Sequence, residues 1–162
     1  MSIRIRPAHD DDVASLLLIE QRCFTSDRIE RRQMYYLLRR AKASFWVAEQ
    51  GCDILGYVVV LRPKLPRRAR IYSLAVLPEA QRQGVASTLL HHVLDEVEAA
   101  SYQAIGLEVR CSALRVQALY QRFGFRWTHL IRNYYGDGAD GWKMVCQLPR
   151  PEWSGERLVS MA

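Results

Sequence analysis

The sequence predicts a mixed α/β domain, an open sheet of about seven short strands flanked by about four helices. Three observations predict it. Apolar runs of strand length, at residues 54–61 and 71–77 among others, alternate with segments whose apolar residues recur at helical spacing, such as Leu89, Leu90, Val93, Leu94 and Val97. Two such runs, 45–49 and 54–61, are joined across Gln50, Gly51, Cys52 and Asp53, a turn-rich connection that fits a hairpin. Residues 70–100 then read as strand, small-residue turn and helix in direct succession.

Each element has a local reason. Ile3 and Ile5 alternate with Arg4 and Arg6 as in a half-buried strand, which Pro7 closes. Asp10, Asp11 and Asp12 supply the cap and acidic first turn of a helix carrying Val13, Leu16, Leu17, Ile19 and Cys23, and the run Phe24, Thr25, Ser26, Asp27 breaks it. A second helix is expected over 29–41, with Met34, Leu37 and Leu38 inward and Arg31, Arg32, Arg39 and Arg40 outward. After the hairpin, the basic segment 62–70 reads as a solvated tip kept out of the sheet by Pro63 and Pro66, or alternatively as a contact for phosphate or an acidic protein. The strand at 71–77 stops at Pro78, which has no N–H for a ladder, and a helix follows Gly84. Ile105, Leu107 and Val109 alternate with Gly106, Glu108 and Arg110 in a fifth strand. Ser112 is positioned to cap a helix reaching Phe123, with Gly124 in the left-handed position behind it. Strands at 125–132 and 142–148 flank a glycine-rich loop, 135–141, and complete one domain over 1–149. Residues 150–162 are expected to form a loosely held tail.

A chain of 162 residues with 49% hydrophobic content is long enough for one full core. No apolar run reaches the length of a membrane span and the first residues lack a signal-peptide core, so a cytoplasmic protein without membrane partners is expected. Cys23, Cys52, Cys111 and Cys146 are scattered without metal-ligand or redox spacing and read as reduced thiols. His91, His92, Asp95 and Glu96 fall on the polar side of a helix as i,i+4 pairs, and no metal is expected. The net charge of +6 rests on twenty arginines against three lysines; it fits an anionic ligand, ribosomal neighbours or genome composition alike. No aromatic-plus-basic RNA motif accompanies it, so direct nucleic-acid binding is not expected. The chain reads as a monomer or dimer.

The chemistry centres on the turn at 81–87. A helix N-terminus offers unpaired N–H groups and the positive end of the macrodipole, and Gly84 and Ala86 keep that backbone open, which suits a phosphate or diphosphate. The spacing matches neither a Walker loop nor the Gly-x-Gly-x-x-Gly fingerprint; the alternative is an ordinary strand-to-helix turn. Gln81, Gly84 and Ala86 after an apolar strand, with Leu107, Glu108, Val109 and Arg110, then Ala118, Leu119 and Tyr120, then Phe123, Gly124 and Phe125, resemble the GNAT superfamily of N-acetyltransferases. Within it, Arg132, Asn133, Tyr134, Tyr135 and Met144 are most similar to the RimI-type protein N-terminal acetyltransferases.

That resemblance implies the GNAT fold, with a mostly antiparallel twisted sheet splayed between its fourth and fifth strands, and acetyl-CoA as cosubstrate without a metal. It implies that the backbone of Leu74, Ala75 and Val76 holds the thioester and pantetheine arm, and that Arg82, Gln83, Gly84, Val85, Ala86 and Ser87 hold the diphosphate. Glu108 matches the general base and Tyr120 the general acid. Tyr134 and Tyr135 match the peptide entrance, with the first two helices as one acceptor wall. Read without the family, a carboxylate such as Glu108 on a central strand is costly unless paired or wetted, with Arg110 as the natural ion-pair alternative; Tyr120 fits a core aromatic as well. Two positions depart from the pattern. Ala113 stands where relatives place an asparagine on the pantetheine, and Thr25, Ser26, Asp27 and Arg28 replace a Pro-Trp-Ser-like stretch.

Proton affinity narrows the acceptor. A lysine must give up roughly 4 to 5 kcal/mol of proton affinity near pH 7, an α-amine only about 1 to 1.4 kcal/mol, and one carboxylate suffices for the easier task. The expected activity is therefore direct transfer, in a ternary complex, to a protein or peptide N-terminus, a ribosomal protein being one candidate. Acetylation of a small-molecule amine is the enzymatic alternative, and a non-catalytic acyl-CoA-binding or RNA-associated module the alternative of another class.

Overall fold

Alternate residues of a strand point to opposite faces, so a sheet covered by helices on both sides needs apolar residues in both registers. Valine-rich strands meet that demand here. The computed structural model describes residues 2–150. Among them, β1 (Arg4–Pro7), β2 (Ala43–Gln50), β3 (Asp53–Leu61), β4 (Arg68–Val76), β5 (Ala104–Arg110), β6 (Arg126–Ile131) and β7 (Gly141–Gln147) form one sheet in the order β1-β2-β3-β4-β5-β7-β6. All neighbours are antiparallel except β4 and β5, which run parallel. This is the mixed α/β architecture with a mostly antiparallel sheet that the sequence implied.

Two helical layers cover the sheet. α1 (Val13–Cys23) and α2 (Arg31–Arg39) bury Val13, Leu16, Ile19, Met34 and Leu37 against Phe45, Val47, Tyr57, Val59 and Ala75. α3 (Val85–Ala99) and α4 (Leu114–Arg122) bury Leu89, Leu90, Val93, Leu94, Val97 and Tyr120 against Val58, Val60, Ile71, Ile105 and Leu107. β3 thus gives Tyr57 and Val59 to one layer and Val58 and Val60 to the other. Truncating one of the fully buried leucines of α3 to alanine costs about 2–5 kcal/mol.

Several expectations are corrected by tertiary context. Asp10–Asp12 form a separate 3-10 turn before α1, and Asp12 turns its carboxylate to the His9 amide (2.7 Å) and to Arg6 (2.9 and 3.0 Å) rather than capping the helix. α2 ends at Arg39 because Arg40 is already extended. Pro7 lies within β1, which tolerates it as an edge strand. β4 begins at Arg68, inside the segment expected to be a solvated tip, because residues 68–70 pair with β5. Ala113, not Ser112, is the N-cap of α4, and no side chain caps it. Gly124 does take the left-handed conformation, at φ 98°.

Of the expected tail, Arg150 is buried and its guanidinium pairs with Glu98 and with Asp95 (3.4 Å) on α3; residues 151–162 lie outside the described residues. Glu96 and His92 are not simply solvated either: Glu96 accepts from Ser44 (2.9 Å) and Trp46 (3.3 Å) of β2, and His92 meets the Trp46 ring, while His91 does pair with Asp95. Among the described residues no helix is long and apolar enough to cross a membrane.

Candidate active site

The site begins as a fault in the sheet. β4 pairs with β5 only through Arg68, Ala69 and Arg70, opposite Ala104, Ile105 and Gly106. Beyond that point β4 follows β3 as far as Gly56 and Val76, while β5 follows β7 as far as Arg110 and Gly141. Residues 71–76 and 107–110 therefore face each other across a gap. Because a strand alternates the direction of its amides, every second residue of this length of β4 aims its N–H and C=O into that gap. A β-bulge helps to turn the strand: Val59 and Val60 oppose Ser73 and Ile71, leaving Tyr72 as the extra residue. Gly56 lets β3 and β4 approach closely, since a Cβ there would lie 2.7 Å from the Ala75 carbonyl oxygen.

At one end of the gap the chain passes through Pro78–Ala80, a 3-10 turn, into α3. Arg82 (φ 67°) and Gly84 (φ 82°) are both left-handed, and Gly84 is the N-cap of α3 with no side chain to close it. The first helical amide bond runs from Thr88 N–H to the Gly84 carbonyl (2.9 Å), so the preceding amides lack a partner within the helix. A Cβ on Gly84 would meet nothing within 4 Å, so glycine stands here for its dihedral angle and the space beside it is open. Gln81 is spent on structure: its Nε2 donates to the Val76 carbonyl (3.2 Å), which Cys23 Sγ also approaches at 3.2 Å. Val85 is buried, while Ala86 and Ser87 are half-buried beside the opening.

Leu74 and Val76 pack toward the α3–α4 layer and Ala75 toward α1–α2. The two catalytic candidates divide in the same way. Tyr120 on α4 is 5% exposed, edge-on to Phe125, and burial holds its phenol well above the ordinary range. Glu108 points to the opposite face, its side chain 13% exposed. Its ion-pair partner is not Arg110: Oε2 accepts Arg70 Nε at 3.0 Å, Oε1 accepts Lys143 Nζ at 3.3 Å, and Arg110 pairs with Asp137 instead (2.9 Å). Gly106 makes room for this, since a Cβ on it would meet Lys143 Nζ at 2.9 Å.

Tyr134 and Tyr135 border the Glu108 side. Arg70 reaches past Glu108 to the Tyr134 hydroxyl (3.2 Å), and Arg110 stacks on the Tyr135 ring (4.2 Å). Burial raises both phenols, that of Tyr135 to about 12. Two loops are tied over this side. The Gly136 amide donates to Asp27 (3.0 and 3.3 Å), and Arg110 Nη2 donates to Ser26 Oγ (2.7 Å). Arg70, Lys143, Ser26 and Asp27 were not singled out as site residues by the sequence. Ser26 and Asp27 did fall in the stretch that departs from the family at the acceptor wall, and Arg70 in the basic segment 62–70; Lys143 comes opposite Glu108 only through the antiparallel pairing of β5 and β7. The gap thus joins a cradle of backbone donors on one face to an ionised, aromatic-walled recess on the other.

The chain is similar to known acetyltransferases in sequence and in fold. An N-alpha-acetyltransferase of Sulfurisphaera tokodaii is 28% identical over 159 residues, 90% of this chain and 93% of its own. The ribosomal-protein-alanine N-acetyltransferase of Escherichia coli is 33% identical over 115 residues, 62% of this chain and 78% of its own. The crystal structure of the Escherichia coli enzyme superposes with a TM-score of 0.82 at 26% identity, over 91% of this chain and 94% of that one. The model of the Acetyltransferase (GNAT) family matches residues 13–125, from the start of α1 to the residue that opens the last hairpin, and the chain belongs to that family.

Proposed function

We propose that this acetyltransferase moves the acetyl group of acetyl-CoA to the N-terminal α-amine of a protein or peptide, by direct transfer while both are bound, in the cytoplasm. The observation that carries it is the division of the site: open backbone donors face one side of the β4–β5 gap, and Glu108 with Tyr134 faces the other. The residues fit the cosubstrate. The amides of Arg82, Gln83, Gly84, Val85, Ala86 and Ser87 suit a diphosphate, and the unpaired edge of Leu74, Ala75 and Val76 suits an extended arm of amides, as it would suit another strand. When bound, acetyl-CoA supplies the activated acetyl thioester.

The chain's own groups do the rest. Backbone N–H groups at the gap hold the carbonyl oxygen, and fixed donors of this kind are worth about 2.7–4 kcal/mol where charge develops. Glu108 takes a proton from the amine through an intervening water; each carboxylate oxygen retains a lone pair beside its cation. Tyr120, the general-acid candidate, is kept protonated by burial and would donate its hydroxyl to the sulfur as it departs, the proton lost by the amine balancing the one the leaving thiol gains. Tyr134 and Tyr135 border the entry of the peptide. An α-amine costs about 1 to 1.4 kcal/mol to neutralise near pH 7, within reach of a single carboxylate. A ribosomal protein is the first acceptor to try, because the Escherichia coli relative is named for one.

Incubation with acetyl-CoA and peptides bearing free or blocked lysines, beside a set of small amines, tests this by the position of the mass increase. Acetylation at the peptide α-amine is expected. Transfer only to small amines, or coenzyme binding without transfer, contradicts it.

A further inference from the structure

Beneath α1, on the face that carries Glu108, lies a chain of three polar side chains that the transfer above leaves unused. Glu20 is 2% exposed. Its Oε2 accepts the Ile29 amide at 2.8 Å, and its Oε1 accepts the Tyr57 hydroxyl. Tyr57 is fully buried on β3 and shares a 3.0 Å hydrogen bond with Ser73 Oγ of β4, in which either oxygen can donate. Ser73 is half-buried, directly follows the bulged Tyr72, and lies on the length of β4 that has no partner on the β5 side.

The protonation of Glu20 sets the direction of this chain. An ionised carboxylate only accepts, so Tyr57 must give its single proton to Glu20 and Ser73 must give its own to Tyr57. Ser73 Oγ is then left with lone pairs alone. Once Glu20 is protonated, Oε2 is still held by the Ile29 amide, so the new proton lies on Oε1 and points at Tyr57. Tyr57 then donates to Ser73, and the Ser73 proton turns outward. The heavy atoms stay in place and the polarity reverses.

We propose that Ser73 receives an N–H of the acceptor at its amino end, and that Glu20, acting through Tyr57, is the positioning residue that keeps the Ser73 hydroxyl an acceptor. This rests on the acceptor approaching from the α1–α2 side, as in the function proposed above. An amino terminus brings donors and meets lone pairs in the ionised arrangement, a competing donor in the reversed one. Burial pushes the Glu20 carboxyl up to about 7, against the pull of the Ile29 amide and of Arg28, so the two arrangements exchange near neutrality. The remaining groups facing it are Tyr57 and Cys23, whose thiol burial raises.

The test is the Michaelis constant of the full chain for a peptide with an N-terminal alanine between pH 6 and 8.5, Glu20→Gln against wild type. In that variant the Ile29 amide requires the glutamine oxygen, so the NH₂ faces Tyr57 and fixes the reversed polarity at every pH. The expected result at pH 8 is a peptide KM raised about tenfold, the weight of one hydrogen bond, with the KM for acetyl-CoA unchanged. The difference should vanish toward pH 6. Ser73→Ala should raise the peptide KM similarly, and Glu20→Gln should add nothing to it. A wild-type KM in Glu20→Gln at pH 8, or a defect equal at pH 6 and pH 8, overturns the proposal. Should Glu20→Gln not fold, Tyr57→Phe must flatten the peptide KM profile relative to wild type, leaving only the slope of the α-amine's own titration, and a profile like that of the wild type overturns the proposal equally. A wild-type enzyme that acetylates only small amines would refute the acceptor class, and the same KM comparison with that amine would still decide the role of Ser73.

Discussion

The two faces of the β4–β5 gap are built from different materials. On the α3–α4 side the proposed binding groups are backbone amides at the end of β4 and the start of α3, set on a dry core of Leu89, Leu90, Val93 and Leu94. On the α1–α2 side they are side chains: Glu108 between Arg70 and Lys143, Tyr134 on Arg70, and Glu20 beneath Tyr57 and Ser73. A backbone cradle depends on dihedral angles and survives side-chain drift, so Ala113 in place of the usual asparagine is expected to weaken or rearrange the contact with the pantetheine arm without removing the diphosphate site. A recess of charged side chains depends on each partner, so one substitution changes what it accepts. One fold can thereby keep a constant donor on one face and vary the acceptor on the other.

Substitutions on either face should break this contrast in different ways. Glu108→Gln should have the largest effect, a kcat lowered about 100-fold or more with coenzyme affinity unchanged in calorimetry, because proton transfer by a positioned group is worth about 10²–10⁴. Next comes stability against pH. Glu20 keeps its proton to about pH 7 in the fold but to about 4.5 when unfolded, so its contribution is full below pH 4.5 and is lost as pH rises to 7. That slope amounts to about 3 kcal/mol at most, and denaturant titrations should find it flattened in Glu20→Gln. Asp12, held low by Arg6, gives the opposite slope, its stabilisation being present above the usual carboxylate range and lost as pH falls through its lowered value.

Gly56→Ala touches the seam between the faces. The added Cβ meets the Ala75 carbonyl, so denaturation should show a loss of about 1–3 kcal/mol, with weaker binding of both substrates. Gly84→Ala should act on one face only. Its left-handed φ costs about 1–2 kcal/mol, read as weaker coenzyme binding with the peptide KM unchanged. Asp27→Ala should do least, a few-fold rise in peptide KM as the Gly136 amide loses its acceptor.

The same contrast explains what could be read from the sequence. Gly84, Ala86 and the apolar runs around them are contiguous, and local backbone rules suffice to find the cradle. The pairs that build the other face are far apart in the chain: Arg70 with Glu108, Glu20 with Tyr57, Asp27 with Gly136. No local pattern announces them. Arg70 illustrates the point, since it read as part of a solvated basic tip until three residues of β4 paired with β5 and brought it beside Glu108. Ser112 and the Asp10–Asp12 run failed for a related reason. Each was a sound cap by local chemistry, but Arg6 claims Asp12, and α4 opens at Ala113 with no side-chain cap.

The claim on which all of this depends is that the two substrates reach the gap from opposite faces of the sheet. A crystal structure with a bisubstrate, coenzyme A joined to the α-amine of a short peptide, tests it most directly. The account predicts the diphosphate on the amides of 82–87, the linker passing between β4 and β5, and the peptide beside Glu108 and Tyr134. Both halves lying on one face, or a diphosphate bound away from the start of α3, would contradict it.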